Sequence, residues 1–118
     1  MAAYKRFSTR TLLVNKGDIE TDLRVLFIAN GDVKNPKITL DTGEFIRVVV
    51  DLMRGDRLEI IPGTPIILLN GDNIIHRMDR ESTFITLQIG QNFMTYSAEL
   101  GQDSVEVRLY YTPLYNGI

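Results

Sequence analysis

His76 is the only histidine of the chain, and it stands close in sequence to Asp79, Glu81 and Ser82. These are the residue types of a hydroxyl nucleophile, its general base and the acid that orients the base. A triad brings such groups to one point from separate elements. Residues strung along one short stretch would have to loop back on themselves to do so, and no G-x-S-x-G elbow is present to expose the serine. His76 therefore reads as a surface or packed loop residue. Zinc takes three or more nitrogen or sulfur ligands, which one histidine and no cysteine do not supply. Asp41, Asp51, Asp56, Asp72 and Asp79 fall in turns, where calcium finds oxygen ligands. None shows the spaced D-x-D-x-D-G pattern with its late glutamate, and hairpin turns use Asp and Gly in any case. The glycines form neither a dinucleotide fingerprint nor a phosphate loop. A glycosidase pair is defined by separation in space, which no single sequence gives. No catalytic residue, metal ligand or cofactor is assigned.

The tyrosines offer a different chemistry. Tyr96, Tyr110, Tyr111 and Tyr115 crowd the C-terminal third. An exposed tyrosine stacks on a sugar ring or anchors a protein partner, because its ring buries area at low entropy cost and keeps a polar tip. Tyr96 and Tyr111 lie on the inward phase of their segments and are expected in the core. Tyr110, on the outward phase, and Tyr115, in the tail, are the candidate surface-binding residues.

The elements that must carry these residues are strands. Val105, Val107, Leu109 and Tyr111 alternate with Glu106, Arg108 and Tyr110, a period of two that gives one dry and one wet face. The same rhythm predicts strands at 10–15, 23–30, 37–41, 44–50, 57–61, 65–70, from Ser82 or Thr83 to Gly90, 92–100 and 104–112. In the second of these Leu23, Val25, Phe27 and Ala29 share a face, and in the fourth Val48, Val49 and Val50 read as buried on both sides. Asn30-Gly31 and Asn70-Gly71 read as tight turns, since both residue types tolerate positive φ. The last two strands read as a hairpin around Gly101-Gln102-Asp103. Only Asn73–Ser82 breaks the pattern, with Ile74, Ile75 and Met78 suggesting one short helical turn near 73–80, capped by Asp72. Short strands near ten-residue spacing predict an all-β fold, a two-sheet antiparallel β-sandwich of jelly-roll type, over residues 10–118. Residues 1–9 read as an N-terminal extension or boundary.

Composition agrees with one globular domain. The 118 residues are 44% hydrophobic and 24% charged, enough to form a core and remove roughly two-thirds of the unfolded surface from water. A net charge of −2 gives no basic excess for nucleic acid. No apolar run approaches the roughly 20 residues of a membrane helix, and the first residues lack the apolar stretch of a signal peptide. Neither nucleic acid nor membrane is expected as a partner.

A set of short words then falls in order: Asn35-Pro36-Lys37-Ile38, Thr42-Gly43-Glu44, Gly55-Asp56-Arg57-Leu58-Glu59-Ile60, Asn70-Gly71, Asp79-Arg80-Glu81-Ser82-Thr83-Phe84, Gly90-Gln91-Asn92 and Tyr111-Thr112-Pro113-Leu114-Tyr115-Asn116-Gly117-Ile118. From about Asn15 to Ile118 this order resembles the C-terminal domain of the siphovirus distal tail protein family, the phage tail family proteins. The resemblance implies a galectin-like sandwich in a structural virion protein at the tip of a phage or prophage tail, a baseplate or hub component made in the bacterial cytoplasm. It implies tail-tip or receptor-binding proteins as partners, with host cell-wall carbohydrate as a further one, and no enzymatic activity. Family members of full length form a hexameric ring through an N-terminal half, so this shorter chain, whether an excised domain or a split gene product, is expected to be monomeric alone. The alternative reading of the same residues is a carbohydrate-binding module for cell-wall glycan, with Tyr110 and Tyr115 on a concave face or loop rim.

Overall fold

The structure, a computed structural model, describes residues 10–114. In chain order its strands are β1 (Arg10–Asn15), β2 (Thr21–Asp22), β3 (Arg24–Ala29), β4 (Val33–Lys34), β5 (Lys37–Leu40), β6 (Phe45–Arg47), β7 (Asp51–Leu52), β8 (Arg57–Ile61), β9 (Ile66–Leu69), β10 (Asp72–Asn73), β11 (Thr86–Leu87), β12 (Gly90–Ser97) and β13 (Val105–Tyr110). A single 3-10 turn, Ile75–Arg77, lies between β10 and β11. The larger sheets run β1-β12-β5-β6 and β10-β9-β8-β3-β13, and β11-β2 and β4-β7 form two small ladders. Every ladder is antiparallel.

Alternation dictates the two layers. The four-stranded sheet turns Leu13, Ile38, Leu40, Ile46, Met94 and Tyr96 inward, and the five-stranded sheet turns Val25, Phe27, Ala29, Leu58, Ile60, Ile67, Val107 and Leu109 toward them. The rings of Phe27 and Tyr96 meet across the interface with centroids 5.8 Å apart. The protein is an all-β, two-layer antiparallel sandwich. Burial pushes the Tyr96 phenol up to about 12, as expected for a ring facing a dry layer. Tyr111 also packs inward, half-buried, and its hydroxyl donates to the Val14 carbonyl at 3.1 Å.

Several expectations change once the strands pair. β12 and β13 are not a hairpin: β12 sits between β1 and β5 while β13 lies beside β3 in the opposite layer. The connection is an arch, held by Lys34 N–H donating to the Leu100 carbonyl and Glu99 N–H to the Lys34 carbonyl, both at 2.9 Å. Inward alternation is the same for a hairpin and for an arch, so periodicity does not separate them. The predicted 82–90 strand shrinks to β11, which among the described residues pairs only with β2. Val48 is buried, but Val49 is 40% exposed and Val50 half-buried, because β6 has ended and the chain passes on through a lone bridge from Val48 to Met78.

The two Asn-Gly pairs also differ. Asn70 and Gly71 take φ of 50° and 93° and close the two-residue β9–β10 hairpin, the geometry whose twist matches its strands. Asn30-Gly31 has no positive φ, since β3 and β4 lie in different ladders and no hairpin joins them. The short helical turn is present, but Asp72 does not cap it. Asn73 Oδ1 accepts from the Ile75 N–H at 3.0 Å instead.

Candidate functional site

The residues with catalytic types are tied into the scaffold. His76 is exposed on the 3-10 turn. Ser82 is buried, its Oγ accepting from the Arg47 N–H at 2.9 Å and donating to the Arg47 carbonyl. Asp79 accepts from the Glu81 N–H and from the Arg47 guanidinium, each at 3.0 Å. The Glu81 N–H, then Arg47, hold the Asp79 carboxyl below the usual carboxylate range. Together these bonds staple the 77–83 segment along the edge of β6, with Asp79 N–H donating to the Arg47 carbonyl and Thr83 N–H to that of Phe45. Asp56 is likewise a turn residue: the Met53 N–H, then the Asn70 side-chain amide, bond its carboxylate and lower its pKa. Among the described residues no cluster of three or more His, Cys, Asp or Glu is placed to hold a metal ion.

Both carboxyls bind protons less tightly folded than unfolded, so their contribution to stability is complete above the ordinary value of about 4 and is lost as pH falls through the depressed folded values. Asp56→Asn is expected to reduce the slope of the urea midpoint against pH in the acid range, below about pH 4, while leaving it nearly unchanged near neutrality.

Asn15, together with Asn35 and Asn92 from the ordered set of words, proves to be a loop clamp. Asn15, 1% exposed, donates to the carbonyls of Ile19 and Leu87 and accepts from the Gly17 N–H. Asn92 accepts from the Gln88 N–H and donates to the Gln88 and Gly90 carbonyls, fixing the entry to β12. Asn35, with φ of 51°, accepts from the Val50 N–H at 2.9 Å and donates to the Glu99 carboxylate. Asn35→Ala removes both bonds at a buried left-handed position and is expected to cost about 2–4 kcal/mol, read as a drop in thermal midpoint. Periodicity does not show that the Asn15 and Asn35 side chains reach across sequence, to Leu87 and to Val50 and Glu99.

What remains for recognition is surface. Cross-strand register puts Arg24, Leu26 and Ile28 of β3, Arg57, Glu59 and Ile61 of β8, Ile66 and Leu68 of β9, and Glu106, Arg108 and Tyr110 of β13 on the outer face of the five-stranded sheet. An open groove of about 540 Å³ there is lined by Arg24, Leu26, Arg57, Glu59, Leu68 and Tyr110 among others. Tyr110, expected at the surface, forms part of this groove, while Tyr115 lies outside the described residues. Arg24 pairs with Glu59 and places its guanidinium 5.8 Å from the Tyr110 ring centre. Arg108 pairs with Glu106 at 2.7 Å.

The outer face of the four-stranded sheet is built otherwise. Its rings, Phe93 and Phe45, lie under cations, with Arg10 4.2 Å and Lys37 4.5 Å from the ring centres. Arg10 is also paired to Asp41. Cation–π contacts of this kind occupy the ring faces that a sugar would use.

No curated protein sequence matches this one. The crystal structure of the SPP1 Dit (gp 19.1) protein, described as a paradigm of the hub adsorption apparatus in phages that infect Gram-positive hosts, superposes with a TM-score of 0.77 at 14% identity. The superposition covers 94% of this chain and 46% of that protein, so this chain spans less than half its length. At that identity the likeness establishes a shared fold. The family profile of the siphovirus-type tail component, C-terminal domain, matches residues 16–115. With most of its length inside that match, the chain belongs to the siphovirus-type tail component family, a family of structural phage tail proteins, and corresponds to its C-terminal domain.

Proposed function

We propose that this chain is a peripheral sandwich domain of the distal tail hub of a phage or prophage, and that it docks other tail-tip or receptor-binding proteins of the adsorption apparatus without turning over a substrate. The observation that carries this reading is the contrast between the two outer sheet faces. One carries phenylalanine rings closely covered by cations, and the other mixes aliphatic side chains, paired charges and Tyr110, itself beside Arg24, around a groove. Protein partners use such mixed surfaces, with aromatic and arginine anchors inside a polar rim. The fold supplies a rigid frame for it, and a frame of this kind suits a hub part that must keep its shape while neighbours attach.

The glycan-binding alternative draws less support. It calls for open aromatic faces, whereas Arg24 lies by Tyr110 and the two phenylalanine rings are capped. Mass spectrometry of gradient-purified tails tests the proposal. The chain is expected as a fixed-ratio component of tails and missing from tail-less capsids. Its presence only in the soluble lysate, or saturable binding to purified cell wall that Tyr110→Ala abolishes, would overturn it.

A further inference from the structure

The sequence of β3, Arg24-Val25-Leu26-Phe27-Ile28-Ala29, and of β9, Ile66-Ile67-Leu68-Leu69, is apolar almost without interruption. Runs of this kind mark strands covered on both faces. Only one face of this sheet meets the core. Leu26 is 7% exposed, yet it is not part of the core cluster, because it points to the opposite side with Glu59 and Arg108 as its cross-strand neighbours. Ile28, Ile61, Ile66 and Leu68 are half-buried on that same side and also stand apart from the core. Long charged side chains lie over this aliphatic floor with their heads in water. Three arginines and two glutamates stand among it. Arg24 and Arg108 have acidic partners, while the exposed Arg57 guanidinium makes no hydrogen bond or ion pair among the described residues.

Resting on the tail-docking reading above, we propose that this outer face is the docking surface, and that its occupant is a protein surface presenting apolar side chains with a carboxylate set over Arg57. The aliphatic floor supplies the area removed from water. The unmatched guanidinium fixes orientation, because an arginine pairs with a carboxylate through two parallel bonds. A neutral glycan would leave Arg57 without its counter-charge and the floor poorly matched.

A photoreactive side chain placed at Leu68, or at Thr95 on the outer face of the opposite sheet, is introduced into the phage gene, and assembled tails are irradiated. The Leu68 position is expected to cross-link to another tail protein and the Thr95 position is not. Arg57→Glu, whose exposed side chain leaves the thermal midpoint unchanged, is expected to reduce the Leu68 cross-link roughly tenfold, the loss of one favourable charge contact. Tails that contain the chain but give no cross-link from Leu68, a cross-link indifferent to Arg57→Glu, or attachment to polysaccharide instead of protein would overturn the assignment. Absence of the unsubstituted chain from purified tails would remove the tail reading itself and the inference with it.

Discussion

Phe27→Ala is expected to lose about 3–5 kcal/mol of folding stability. Phe27 is 1% exposed at the middle of β3, which lies between β8 and β13, and its ring meets Tyr96 from the facing layer. Truncation removes both the transfer energy of the ring and its contacts, and it leaves a cavity that two hydrogen-bonded sheets on either side are poorly able to collapse. A domain of this size holds about 5–15 kcal/mol in all, so the variant sits near the edge of folding. Phe27→Leu keeps much of the volume and is expected to cost clearly less, nearer 1–1.5 kcal/mol. Urea titration of both variants reads the difference directly. A loss under about 1 kcal/mol for the alanine variant would mean that the layers do not press together at this point.

Gly101→Ala is expected to be about as severe, for a backbone reason. Gly101 has φ of +73°, and a Cβ built there would lie 1.8 Å from the Asp32 carbonyl oxygen and 2.9 Å from its carbon. No rotamer relieves a clash between a β-carbon and main chain, so the arch itself must move. That movement pulls on the Lys34–Leu100 pairing, which carries the chain from one layer to the other. Left-handed strain of about 1–2 kcal/mol and displacement of about 1–3 kcal/mol together give about 2–5 kcal/mol. Gly43→Ala separates the two contributions. Its φ is +97° but nothing lies within 4 Å, so only the conformational cost of about 1–2 kcal/mol is expected. Thermal midpoints that fall equally for the two variants would contradict the close approach at Gly101.

The two layers were legible in the sequence because burial imposes period two on every strand that faces a core. Val105 to Tyr111, Met94 with Tyr96, and Leu58 with Ile60 all kept their predicted phase. Pairing was less legible. The arch at Gly101 and a hairpin ask for the same residue types, and only the contact with Asp32, far back in sequence, tells them apart. Asn15, read only as the end of a strand, is a clamp because its amide reaches Leu87, many residues away. The proposed docking face shows the same limit. The outward position of Tyr110 follows from its phase alone, whereas Arg57, Glu59 and Leu68 come together only through the β3–β8–β9 register. The apolar run of β3 did carry a signal. Leu26 and Ile28 fall between the inward residues of that strand, and strands open to water on one side place polar residues there. The resemblance to tail proteins rested on words such as N-P-x-I, N-G and G-x-N, which the structure assigns to loop closure, so they identify the scaffold and not the surface it presents.

An electron cryomicroscopy reconstruction of the tail end, in particles that carry this chain, bears most directly on the whole account. It is expected to place the two-layer sandwich at the distal end of the tail, with the face of β3, β8 and β9 against a neighbouring tail protein. A tail end without this sandwich, or a sandwich whose five-stranded sheet looks out into solvent on every copy, would contradict it.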